Sequence, residues 1–163
     1  MSDITTYPIH PAERLQARLL SVLSDAFATV TAIDGFVYVN DRDADEATMP
    51  MVVARVSESV NQPPNSHVWH VVMTLQMMED RTEGDSLISG DSRARHELRK
   101  ENLSARLFGV WYGSSIADDI NAISDGRGVY VLKTYGQNYT PMTDVDLLVT
   151  EYTMTFICVS TQQ

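Results

Sequence analysis

Between His67 and Met78 the chain alternates with a two-residue period. His67, Trp69, Val71, Met73, Leu75 and Met77 fall on one side, and Val68, His70, Val72, Thr74, Gln76 and Met78 on the other. Successive side chains of an extended chain point to opposite faces, so this run predicts a long central strand with one nearly all-apolar face. A strand of that kind has to be covered.

Pro11 stands where a first helical turn would begin, and Leu15, Leu19, Val22, Ala26 and Val30 follow at spacings of four, three, four and four. That is one apolar stripe on a helix, broadened by Leu20, Leu23 and Phe27 and stopped by Asp34-Gly35. Phe36 to Asn40 and Met51 to Val56 read as two short strands joined by a long acidic loop, and Asn61 to Ser66, with Pro63-Pro64, as a turn-rich connector. Glu79 to Asp91 is polar and is expected to be a long loop. From Ser92 the period turns helical, with Ala94, Leu98 and Ala105 on one line, Leu103, Leu107, Val110 and Trp111 on the next, and Gly113 closing it. Ser115-x-x-Asp118 predicts a capped short helix carrying Ile116, Ile120 and Ile123, ended by Asp125-Gly126. Gly128 to Tyr135 is β-rich, Gly136 to Thr143 reads as a turn, and Tyr152, Met154, Phe156 and Cys158 alternate along a last strand. The expected fold is α+β: a mostly antiparallel sheet of about five strands, with an N-terminal helix and a helix pair packed on one face. It forms one domain over 1–163, with an N-terminal arm over 1–10 and a polar loop over 79–91.

Composition narrows the function classes. A chain of 163 residues is long enough for one such core. Cys158 is the only cysteine, so no internal disulfide can form and a reducing compartment is the default. Met1 to His10 carries Asp3 and has neither the basic nor the apolar region of a secretory signal, and no membrane-spanning run is expected. With 22 acidic against 12 basic residues, the net charge of -10 repels nucleic acid and supplies no counterion-release drive. The charges are also segregated. Arg93, Arg95, Arg99, Lys100 and Arg106 cluster on the second helix, while Asp41, Asp43, Asp45 and Glu46, and then Glu79, Asp80, Glu83, Asp85 and Asp91, gather elsewhere. Opposite charges on separate segments suit a head-to-tail contact between copies, against the plainer reading of solvated loops and a solvated helix face.

No reactive constellation is legible. Asp41-x-Asp43-x-Asp45 places carboxylates at alternate positions as a calcium loop does, but Glu46 replaces the required glycine and Val52 the closing glutamate, so an EF-hand is excluded. His67 and His70 point to opposite faces of a strand and cannot share a metal. His96 lies on a charged helix without a nucleophile in a recognisable motif, and Gly-x-Ser-x-Gly is missing. Asp125-Gly126-Arg127-Gly128 precedes a strand and makes a turn, not a phosphate cradle. Cys158 reads as a buried, inert thiol. No catalytic residue, metal or cofactor is expected.

The order of elements carries a resemblance. An opening helix from Leu15 to Val30, Pro50-Met51-Val52-Val53, the strand His67 to Met78, a polar loop, a helix through Leu107, Ile116-Ala117-Asp118-Asp119-Ile120-Asn121 and a closing strand pair resemble the tail terminator, or tail completion, proteins of long-tailed bacteriophages. The resemblance implies a structural virion protein, not an enzyme. It would be assembled in the host cytoplasm into a hexameric ring at the tail-neck junction that caps the tail tube, ends its polymerisation and docks the capsid neck. Its partners would be further copies of itself, the tail tube protein and a neck or head-completion protein, with genomic DNA passing through unbound and no membrane. By position, Arg93, Arg95, Arg99, Lys100, Asp41, Asp43, Asp45 and Glu46 become candidate subunit or tube contacts, and Glu79, Asp80, Glu83 and Asp85 a candidate channel or contact loop. The alternatives are another head-tail connector or neck protein, or a small-ligand-binding or enzymatic α+β domain.

Overall fold

The computed structural model describes residues 10–28, 36–81, 90–123, 129–143 and 147–160, with the side chains of 135–143 left aside. Helix α1 runs from Pro11–Phe27, followed by β1 (Val37–Asn40), β2 (Met51–Asn61), β3 (Val68–Asp80), α2 (Asp91–Phe108), α3 (Ile116–Ala122), β4 (Val129–Thr143) and β5 (Leu147–Ser160). The strands form one five-stranded mixed sheet in the order β1-β2-β3-β5-β4. Only β1 and β2 are parallel, and all other neighbours are antiparallel. The α+β architecture with its N-terminal helix is the one the sequence predicts. The alternating run is indeed central: β3 pairs with β2 on one side and β5 on the other.

The core lies on one face of this sheet. Val71, Met73, Leu75 and Met77 of β3 meet Val52 and Ala54 of β2 and Tyr152, Met154, Phe156 and Cys158 of β5, and Leu15, Leu19, Leu23 and Phe27 of α1 close over them. Burying each large apolar side chain contributes about 1.5–3 kcal/mol, and this layer is the main source of stability. The other face carries Thr74, Gln76, Glu151, Thr153 and Thr155, all partly exposed, with Met51, Val53 and Val149 buried at one end.

Polar side chains fasten the helices to strand ends. Pro11 occupies the first turn of α1, where its missing N–H costs nothing, and Ala12 N–H donates to His10 Nδ1 at 3.1 Å. Gln16 Nε2 donates to Ala54 O of β2 at 2.6 Å and Arg18 Nη1 to Val129 O of β4 at 2.6 Å, both buried. On α3, Asn121 holds both main-chain groups of Val131, accepting its N–H at 2.7 Å and donating to its carbonyl at 2.9 Å. These contacts satisfy outward-facing backbone on edge strand β4 and blunt it against pairing with another chain. Ser115 and Asp118 form the capping box of α3 that the sequence predicts.

Several boundaries differ from the sequence reading. The first helix is described to Ala28, and Val30 and Asp34-Gly35 lie outside the described residues. Strand β2 continues past Val56 to Asn61, because a bulge between Val56 and Glu58 lets the polar second half stay in register with β3. The second helix stops at Phe108. Gly109 N–H still bonds Ala105 O at 3.0 Å, but its extended backbone ends the helix, so Val110 and Trp111 do not share the helical line. Trp111 and Ser114 instead close a tight turn, with Tyr112 at φ 48° and Gly113 at φ 89°, the double positive φ of a type I′ turn. The expected turn at Gly136 to Thr143 is the second half of β4, where a register shift between Gly136 and Tyr139 absorbs the glycine and the edge position accepts Pro141. The turn joining β4 to β5, at 144–146, and Asp125-Gly126 lie outside the described residues. No helix among the described residues is long and apolar enough to cross a membrane.

Candidate functional site

Glu79 is the main correction to the expected loop. It is the penultimate residue of β3, 4% exposed and turned to the core face, and Asp80 ends the same strand. Strand β5 extends far enough to pair with both, through Leu148 and Leu147. Glu79 is thereby removed from any channel-lining role. Asp80 is exposed, whereas Glu83 and Asp85 lie outside the described residues.

Around Glu79 the fold assembles a buried polar cluster. Helix α2 brings His96 over the strand ends, with Nδ1 2.8 Å from Glu79 Oε2 and Nε2 2.8 Å from Thr150 Oγ1 of β5. Arg99, one turn on, pairs with Glu79 Oε1 and places its guanidinium 5.1 Å from the Phe36 ring centre. In the neutral ring His96 donates Nδ1–H to the carboxylate and accepts the Thr150 hydroxyl at Nε2. Carboxylate, imidazole and hydroxyl in this order repeat the connectivity of a hydrolase relay. Access is lacking: His96 is 0% and Thr150 1% exposed, so no substrate carbonyl reaches the hydroxyl. The arrangement locks α2 onto β3 and β5.

Arg106 of α2 is also buried, and it pairs with Asp119 of α3. Asp119 also accepts from Ser114 Oγ at 3.0 Å, while Arg106 Nε and Nη1 are buried with no hydrogen-bond partner among the described residues. Above it a pocket of about 510 Å³ opens between α1, α3 and the Trp111 turn, lined by Val22, Asp25, Ala26, Trp111, Tyr112 and Ile123 among others.

The remaining predicted contact residues lie at the surface. Asp41, Asp43, Asp45 and Glu46 are exposed, the last three on a 3-10 turn at Ala44–Glu46 and its flank, and Asp41 reaches Arg55 at 4.0 Å and Gln16 at 3.5 Å. Among the described residues no three Asp, Glu, His or Cys side chains converge as a metal site would need. On α2, Arg93 and Lys100 both pair with Glu97, at 2.9 and 2.5 Å. The Lys100 hydrogen bond and the charges of Lys100 and Arg93 hold the Glu97 carboxyl below its ordinary range against a smaller opposing effect of partial burial. Arg95 is exposed. Arg99 and the acidic turn therefore sit at opposite ends of β1: Phe36 under Arg99 precedes it and Asp41 follows it. A strand rises about 3.3 Å per residue, which puts these ends about 17 Å apart.

Three features bear on other readings. Burial pushes the Cys158 thiol up to about 11 and raises the Tyr38 phenol well above its usual value. His67 is exposed and precedes β3, while His70 is half-buried within it, so the two do not approach a common ligand position. No protein-family model and no curated protein matches the chain.

The Glu79–His96–Thr150–Arg99 cluster is invisible to motif reading because its members come from three elements, β3, α2 and β5, far apart along the chain. One local signal does point to it. Ser92, His96, Leu103 and Arg106 recur at helical spacing, and polar residues on a helix's inward line imply buried partners.

Proposed function

We propose that the chain is a structural component of the tail-neck junction of a long-tailed bacteriophage, forming a ring that caps the tail tube, ends its polymerisation and docks the capsid neck. The observation that carries the reading is the separation of charge along β1, with the acidic turn at one end and Arg99 of the basic helix at the other. A head-to-tail ring needs two unlike surfaces on each copy, and segregated charge supplies both attraction and register. The order of elements, a helical layer on one side of a mixed sheet, agrees with the same reading. So does the net charge of -10, which keeps a DNA conduit from adhering to its cargo. Further copies of the chain, the tube protein and a neck protein are the partners this function requires.

The test is native mass and negative-stain imaging of the purified protein, alone and mixed with isolated tail tubes of the same phage. Six-membered rings, free or seated on tube ends, are expected. A monomer or dimer that ignores the tubes would overturn the assignment. A second reading, a small-ligand-binding domain, draws on the pocket beneath Trp111 and Tyr112. A change of Trp111 fluorescence on titrating a metabolite mixture, with no assembly on tubes, would favour it.

A further inference from the structure

The pocket beneath the Trp111 turn is lined by two carboxylates and one guanidinium, and the guanidinium is only partly used. Arg106 is 1% exposed, its Nη2 bonds Asp119, and its Nε and Nη1 meet no acceptor among the described residues. Each buried donor left unpaired costs free energy, so unused donors on a cavity wall mark a place that an acceptor would fill. They are covered in the unliganded fold, and an acceptor reaches them as the guanidinium swings toward the pocket it lines. A lone anion does not suit the site. Asp119, half-buried, and Asp25, exposed, line the same space and would repel a further negative charge. An amine on the same molecule removes that objection, with Asp25 as its counter-charge.

The remaining lining suits an aromatic body. Trp111 is half-buried and packs edge-to-face on Phe27 of the core and on Tyr112, with ring centres 5.5 and 5.1 Å apart. Tyr112 is 89% exposed and held at φ 48°, a turn position that glycine or asparagine adopts with less strain. Core packing therefore does not account for an aromatic ring there. At the pocket such a ring can cover an apolar group or face an ammonium. Val22 of α1 adds apolar wall, and the volume of about 510 Å³ lies inside the range of pockets that enclose small molecules.

We propose that this pocket binds an amino acid with an aromatic side chain, its carboxylate on the unused donors of Arg106, its amine at Asp25 and its ring against Trp111 and Tyr112. The proposal rests on the small-ligand reading of the pocket and names the ligand's class. Only a molecule with both charges answers the unused guanidinium and the surplus carboxylate together.

NMR of the isotope-labelled full chain tests this through the Trp111 indole N–H, told apart from that of Trp69 by Trp69→Phe. The probes are L-phenylalanine, phenethylamine, which keeps only the amine, and 3-phenylpropionate, which keeps only the carboxylate. L-phenylalanine is expected to move the Trp111 signal saturably while Trp69 stays in place. Phenethylamine should bind about tenfold more weakly for want of the buried contact, and 3-phenylpropionate about threefold, an exposed charge being worth less. Arg106→Met should abolish the preference for L-phenylalanine over phenethylamine. Should that variant not fold, Asp25→Asn, at an exposed position, should abolish the preference over 3-phenylpropionate. No saturable shift with L-phenylalanine, or preferences unchanged in the variants, overturns the proposal. Equal binding of either half-molecule overturns it too, while leaving a ligand pocket of another class in place. Capping of tail tubes is scored separately and bears on neither.

Discussion

Removing the Glu79 carboxylate would take the acceptor from the His96 Nδ1–H and a buried counter-charge from the Arg99 guanidinium, in a site where His96 is fully buried. Breaking a buried pair by deleting one partner is costly, and Glu79→Ala is expected to lower the unfolding free energy by about 3 kcal/mol, read by urea denaturation. A loss under about 1 kcal/mol would mean that the cluster does not fasten α2. Cys158 makes a different prediction, with a defined pH window. Its thiol proton is held in the fold up to about 11, whereas the unfolded chain releases it at the ordinary value near 9. Ionisation therefore favours the unfolded chain as pH rises. Stability should be unaffected by this group below about pH 9 and fall by about 2 kcal/mol between pH 9 and 11. Tyr38 acts with the same sign, so the comparison is with Cys158→Ala, whose stability should fall less over that window. Equal slopes in the two proteins would contradict the burial argument.

At the scale of elements, what the sequence discloses depends on where an element's apolar residues point. The alternation of β3 and the stripe of α1 are legible because burial and periodicity agree there: Met73, Leu75, Leu15 and Leu19 are all fully buried. Helix α2 is legible in part: Leu103 and Leu107 of its second apolar line are buried, but elsewhere on the helix burial and hydropathy disagree. Its line Ala94, Leu98 and Ala105 is exposed, Leu98 by 49%, and the inward side joins Ser92, His96 and Arg106 to Leu103 and Leu107. Hydropathy cannot anticipate polar residues whose hydrogen-bond partners lie far along the chain. Likewise Gly136 and Pro141 suggest a turn, since nothing local says that β4 is an edge strand that tolerates both. The edge itself yields a prediction. Asn121 holds both main-chain groups of Val131, so Asn121→Ala exposes them to the α3 interface without a partner. A loss of about 1–3 kcal/mol in thermal or chemical unfolding is expected, with faster aggregation on warming as β4 loses its guard. Wild-type stability in that variant would show that water replaces the amide at no cost.

Over the whole molecule the basic residues of α2 differ in how far they reach solvent. Arg99 faces the buried Glu79, and Arg93 and Lys100 share Glu97, whereas Arg95 stands on the exposed side of α2. Reversing Arg99 to glutamate would set two carboxylates against each other inside the cluster and lower the unfolding midpoint, so its effect on assembly would report folding. Arg95→Glu is the discriminating change. If acidic turn and basic helix meet head to tail around a ring, Arg95→Glu should lower the unfolding midpoint far less than Arg99→Glu does and yet reduce ring formation and tube capping. The reduction should be greatest at low ionic strength, because exposed charges are screened beyond about 10 Å at 0.1 M salt. Adding Asp43→Arg to the same chain should recover assembly, since each contact would then present the opposite signs in exchanged places. The readout is the fraction of tube ends capped in negative-stain images across a salt series. Capping by Arg95→Glu equal to that of the wild type at every salt concentration would take the basic helix out of the contact and leave the ring, where it forms, to be closed by other surfaces.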